Sequence, residues 1–280
     1  MRMTRLAATL VVAMALSSPY SPAFAAEPTP AAVVTAADLH LDRMRPGTTT
    51  HLVYFHGAPG TGIQRAMLAT STIKREMVDG TDAWVIEQAW EDDSGVVHTA
   101  RTVHAASDLA TLAQTSGWKR PDRSMSSSIV PSEGRGSIEG DLPPEARERM
   151  EAGFATMDDG WWINWHSDLA WLPLLPYERG GTLRIRLFDV GMPGPMDVDY
   201  TVVGDRTLQG GDGTTHDTWL VETESGRPGS GNYQRFWIDK ASRVVLKEED
   251  VFNGQYRSKV LLGVPAVVEF ALPASTPAAP

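Results

Sequence analysis

Cysteine is absent from all 280 residues. That excludes disulfides and makes a structural zinc site of the usual thiolate type a poor fit. It also excludes a lipid anchor on a cysteine after the leader. Histidine is sparse: the seven, at 40, 51, 56, 98, 104, 166 and 216, form neither H-x-x-x-H nor H-E-x-x-H. No metal or cofactor is expected. Beyond the first residues there is no apolar run long enough to span a bilayer as a helix.

Positive charge is also in short supply, with 25 basic against 35 acidic residues. Two of those basic residues, Arg2 and Arg5, precede an apolar stretch from Leu6 to Leu16, and Ala23-Phe24-Ala25 follows as a small-x-small cleavage signal. Residues 1–25 therefore read as a secretory signal peptide, and the mature protein is expected in the periplasm. An acidic exported chain is a poor partner for nucleic acid or an anionic membrane surface. Residues 26–37 read as an Ala/Pro-rich linker, 38–266 as a single β-rich domain and 267–280 as a disordered tail.

Two catalytic motifs are nearly present and each lacks its working groups. HGAPGTGIQ, His56 to Gln64, follows an apolar strand, and Gly57 and Gly62 have P-loop spacing. Ile63 and Gln64 stand where a P-loop needs lysine and a hydroxyl, so the loop has nothing to neutralise a triphosphate. The same turn resembles the oxyanion turn of α/β-hydrolases. That fold also needs G-x-S-x-G, and no serine sits between glycines at that spacing. Nor does the chain alternate strand and helix as a parallel sheet requires. The simplest reading of HGAPGTGIQ is a glycine-rich turn between the first two strands. Hydrolase chemistry at His56–Gly60 is the alternative.

What the chain does have is turns and alternating strands. Gly and Pro together supply 44 residues, 25 and 19, spread at short intervals. Residues 83–90 and 96–103 flank EDDSG, a hairpin signal. Residues 182–190 alternate Leu183, Ile185 and Leu187 against Arg184 and Arg186. Residues 196–203 alternate Val198, Tyr200 and Val202 against Asp197 and Asp199. Pairing Arg186 with Asp199 gives a plausible register. Residues 217–224, 233–239, 242–252 and 255–262 read as an antiparallel meander. Residues 62–78 fit a helix or a strand equally. Residues 124–140 read as a surface loop, 142–154 as a short helix with Asp141 as N-cap, and 167–176 as a short apolar helix or turn. The acidic groups Asp92-Asp93, Asp158-Asp159 and Glu248-Glu249-Asp250 read as turn or solvated-face charges.

Tryptophan is abundant, nine in all, four of them in WWINWHSDLAWLPLLP at 161–176. The segment is too apolar for a surface loop. It either plugs the core of a curved sheet or lines an apolar cavity, and the two can coexist. Trp161, Trp162, Trp165, Trp171, Leu172 and Leu175 are the candidate ligand-binding residues.

The C-terminal third carries a resemblance. TWLVETE, FWIDKASRVVLKEED and FNGQY place Phe236, Trp237, Ile238, Asp239 and Lys240 in an aromatic-Trp-Ile-Asp turn, followed by the strand Val244–Lys247, Glu249 and a turn at Gly254. Earlier pieces, Tyr54, Gly57, Gly62 and residues 75–84, fit more loosely. The pattern is similar to the periplasmic lipoprotein-sorting and lipoprotein-carrier superfamily and to the exported β-rich proteins grouped near it. That resemblance implies a mainly β fold, an open antiparallel half-barrel wrapped around short helices. It further implies an apolar concave face for a hydrophobic or lipid-like ligand, and no catalytic residues. An envelope protein that docks on an exposed sheet edge is the other partner class.

Overall fold

The computed structural model describes residues 30–57, 62–158, 160–210, 213–224, 229–252 and 254–263. The expected signal peptide, the tail and the tip of the HGAPGTGIQ turn lie outside these residues. Among the described residues fifteen strands form one sheet. The first meander comprises β2 (Gly47–His56), β3 (Ile63–Val78), β4 (Thr81–Asp92), β5 (Gly95–Ala105), β6 (Thr111–Arg120), β7 (Arg123–Val130) and β8 (Arg135–Gly140). The second comprises β10 (Thr182–Phe188), β11 (Met196–Gln209), β12 (Thr215–Glu224), β13 (Tyr233–Asp239), β14 (Val245–Phe252) and β15 (Gln255–Leu261). All neighbours within each meander are antiparallel, and β15 joins β2 antiparallel to fuse the two. Two short strands, β1 (Ala32–Val33) and β9 (Ile163–Asn164), add to β10 in parallel. β8 and β10 do not pair, so the sheet stays open.

The chain between the meanders packs into the concavity. It holds helix α1 (Pro144–Phe154), the 3-10 turn Trp165–Ser167, helix α2 (Asp168–Trp171) and a second 3-10 turn, Leu172–Leu174. Pro173 and Pro176 keep this segment from extending as one helix. Trp171, Leu172, Leu174, Leu175 and Tyr177 pack against Ile86 from the first meander and Leu183, Ile185, Tyr200, Val221 and Phe236 from the second. One apolar cluster thus ties the two meanders to the plug. α1 covers the β8 edge. Its Phe154 packs where Gly136 has no side chain: a Cβ there would lie 2.2 Å from the ring. Arg147 donates to the carbonyls of Ile138 at 2.6 Å and Gly140 at 2.9 Å. A strand edge is thereby capped rather than offered to another chain.

Several expectations need correction. Residues 124–140 are strands β7 and β8, not a loop. Their Ser-rich sequence hid a period-2 pattern, and Ser127, Ile129 and Ile138 face inward. All but the first of residues 62–78 are strand, β3 from Ile63, because pairing on both sides overrides a helical apolar spacing. The β10–β11 register is two residues from the expected one: Arg184 faces Asp199 and Arg186 faces Asp197. The buried faces are as read, because a two-residue slip preserves them. Pro143, not Asp141, occupies the N-cap of α1. Ala32–Val33, within the stretch read as linker, pairs with β10, and Val34 is buried. The antiparallel β2–β3 hairpin around HGAPGTGIQ is not the strand-to-helix turn of an α/β-hydrolase.

Candidate functional site

The plug does not fill the concavity to its rim. At the mouth a cleft of about 850 Å³ opens between the plug and strands β2 and β11 to β15. Its walls include Phe55, Trp165, Met192, Pro193, Met196, Val198 and Phe252. Met196 and Phe252 are exposed there. Large apolar side chains left in water at the rim of a concave site are the usual signature of ligand or partner contact. The Met192–Pro193 wall belongs to the β10–β11 turn. α1 props it from behind, and Gly153 approaches so closely that a Cβ would lie 2.2 Å from the Met192 carbonyl oxygen.

Of the six residues expected to line a site, Trp165 is the one that lines this cleft. Trp171, Leu172 and Leu175 are wholly buried at 0% exposure in the main core, and Trp162 at 2% packs edge-on to Phe188 in a second cluster. Trp161 is half-buried and donates its indole N–H to the Asp108 carbonyl at 2.9 Å. The segment is chiefly core plug, with one tryptophan turned toward the opening.

The cleft's floor is polar. Strand register sets Thr223, Gln234, Asp250, Arg257 and Phe55 in one row across five strands. The next row inward contains Glu248 opposite Lys259. Glu248 and Lys259, 1% and 5% exposed, form an ion pair at 2.6 Å. Arg257 donates through Nε to Asp250 at 2.7 Å and lies 3.3 Å from Glu248. The flanking Lys247 and Glu249 point to the other face and pair with each other at 2.5 Å. So Glu248 and Asp250 are interior charges, not the solvated ones the sequence suggested. Trp90 lies under both Lys259 and Arg257, 5.6 and 5.8 Å from its ring centre. Burial beside Glu248 pushes the Asp168 carboxyl up to about 7, although Lys259 opposes the shift.

Behind the floor, a histidine pair is held neutral. His98 donates from Nδ1 to the Gly117 carbonyl at 2.7 Å, which leaves Nε2 to accept from His166 Nε2 at 2.8 Å. Burial drives His98 down to about 3, and His166 to about 4. The His98 ring stacks on Trp118 at 3.9 Å. His104 donates to the Leu109 carbonyl at 3.1 Å and meets the Ser167 hydroxyl at 2.9 Å. This His–Ser contact is wholly buried. It fastens the plug to β5, out of reach of any substrate entering the cleft.

Residues 50–260 match the profile of a family of proteins of unknown function, DUF3108. The chain belongs to that family. Among curated proteins none matches. Solved structures similar to the chain include a DUF1329 family protein from Desulfovibrio piger. It has 10% identity, spans 79% of this chain and 85% of its own, and gives a TM-score of 0.28. A proposed outer membrane lipoprotein-sorting protein domain from Vibrio parahaemolyticus is 12% identical over 81% of this chain and 89% of its own, with a TM-score of 0.27.

The residues that make the cleft, Phe55, Met192, Met196, Gln234, Asp250, Phe252 and Arg257, were not among the sequence candidates. A signal was nonetheless present in Glu248-x-Asp250 followed by Arg257-x-Lys259. Opposite charges at period 2 on strands that form a hairpin face each other across it.

Proposed function

We propose that this protein is an exported, non-enzymatic binder that shelters the aliphatic part of a lipid-like molecule in the mouth of its half-barrel. The observation that carries this is the cleft itself: seven apolar side chains around about 850 Å³, left open by a plug that is otherwise tightly packed. The volume is in the range of small-molecule sites. Burying eight methylenes of a chain there would contribute roughly 6 kcal/mol before the costs of association. The leader-like N-terminus supports an envelope setting for such a ligand. Glu248, Asp250, Arg257 and Lys259 are locked to one another by ion pairs and His98 to His166 by a hydrogen bond, and the His104–Ser167 contact is wholly buried. That favours binding over hydrolysis. Capping of the β8 edge by Arg147 likewise weighs against a module that works by strand addition.

The test is displacement of an environment-sensitive apolar dye by uncharged alkyl maltosides of increasing chain length. Affinity is expected to rise with chain length in the native protein. In Phe252→Asp and Met196→Asp it should fall by tenfold or more. These two side chains are exposed, so both variants should fold. A dye that does not bind, or that binds all three proteins alike, overturns the proposal.

A further inference from the structure

The cleft is apolar at its rim and polar at its floor, the reverse of a pocket that swallows a hydrocarbon tail first. Phe252 and Met196 stand at the opening, while Gln234, Asp250 and Arg257 lie beneath. One polar atom of a cleft-lining side chain at this depth has no partner among the described residues: Gln234 Oε1 is buried and unbonded. A buried polar atom left unpaired is costly, so it is a place where a ligand group gains by bonding.

The charge balance says which group. Glu248, Asp250, Asp168 and Lys259 are buried and Arg257 is half-buried beside them. Asp168, its carboxyl pushed up to about 7, adds no full negative charge, so Glu248 and Asp250 balance the two cations. Both cations are already committed: Lys259 to Glu248, Arg257 to Asp250 and Glu248. Asp168 has no ion-pair partner among the described residues, its Oδ1 accepting only the Leu169 amide N–H at 2.7 Å. At the rim, Glu224 also lines the cleft with no basic partner among the described residues. Asp197 and Asp199 add no free charge, being paired with Arg186 and Arg184. The site therefore has spare acceptors and, among the described residues, no uncommitted cation, and a chain of formal charge −10 surrounds it.

Resting on the cleft as the binding site, we propose that it takes an amphiphile head first, and that the head is a primary ammonium. The head donates its N–H groups to Gln234 Oε1 and the Asp250 carboxylate. The first methylenes lie against Trp165 and Val198, and the rest of the chain leaves past Met196 and Phe252. A carboxylate or phosphate head meets committed guanidinium and ammonium groups and the Glu224 carboxylate at the rim, and is rejected.

The experiment is calorimetric titration of the full chain with four dodecyl compounds below their micellar concentrations: dodecylammonium, dodecyltrimethylammonium, dodecanoate and dodecyl maltoside. Dodecylammonium is expected to bind at least tenfold more tightly than dodecanoate. It should also exceed the trimethylammonium compound, which has no N–H to donate. Gln234→Leu, which leaves the apolar walls intact, should reduce the ammonium-over-trimethylammonium preference at least threefold. Equal affinity for all four, or tighter binding of dodecanoate, overturns the head-group proposal while leaving the cleft reading in place. If none of the four binds, the cleft reading itself fails.

Discussion

Lys259→Met tests whether the interior charges are as interdependent as the geometry requires. Lys259 is 5% exposed and lies 2.6 Å from Glu248, itself 1% exposed. Removing one partner of a buried pair strands the other and typically costs 3–5 kcal/mol. Here Arg257 remains 3.3 Å from Glu248, so the lower end, about 3 kcal/mol, is expected. For a domain of this size each kcal/mol lowers the melting temperature by about 2–4 °C, which gives a drop of roughly 6–12 °C. The informative comparison is the double variant Lys259→Met with Glu248→Leu. It removes both charges and leaves the Arg257–Asp250 pair, so it should recover most of the loss. Urea denaturation of the native protein, both single variants and the double variant measures the coupling directly. A single-variant cost below 1 kcal/mol, or a double variant less stable than either single, would refute the reasoning.

Three further outcomes follow from the same structure. Trp171→Ala should cost about 3–5 kcal/mol, as a fully buried indole does, whereas Trp165→Ala should cost far less stability and instead weaken dye binding. Equal effects of the two on binding would contradict the division between plug and cleft wall. Gly153→Ala pushes a methyl against the Met192 carbonyl and should lower both melting temperature and ligand affinity, by about 1–3 kcal/mol in stability. Unchanged affinity would show that α1 does not position the cleft wall. His104 is buried, with its pKa held at about 4 against a usual 6.5. Below pH 6.5 the unfolded chain takes up a proton that the folded one refuses, so this residue's contribution is lost as pH falls from 6.5 through about 4. The stability gap between the native protein and His104→Gln should narrow by up to about 3 kcal/mol over that window. A gap that does not vary with pH would mean His104 titrates normally.

The strands with apolar alternation were legible from sequence. Leu183, Ile185 and Leu187 announce an inward face, and Val198 and Tyr200 answer it. The Ser-rich β7 was not, because hydroxyl side chains serve both faces of a strand and blur its period. The β3 segment was ambiguous because Ile63, Met67, Thr70, Ile73 and Met77 satisfy helical spacing, and only its two neighbours decide for strand. The tryptophan cluster correctly marked the interior of the half-barrel. Sequence could not say how much of that interior the cluster fills. That depends on α1, the Gly153 contact and the Met192–Pro193 turn meeting across long separations. Interior charge was the hardest feature to read, since Glu248, Glu249 and Asp250 look alike in a row and only pleating sends the middle one outward.

The central claim is that an aliphatic chain occupies the mouth of the half-barrel beside Met192 and Met196. Methyl NMR of methionine-labelled protein titrated with dodecylammonium tests it most directly. The account predicts saturable shifts at Met192 and Met196, with Met44 in the core and Met77 at the far end of β3 unmoved. Shifts at Met44 or Met77 with Met192 and Met196 silent would contradict it.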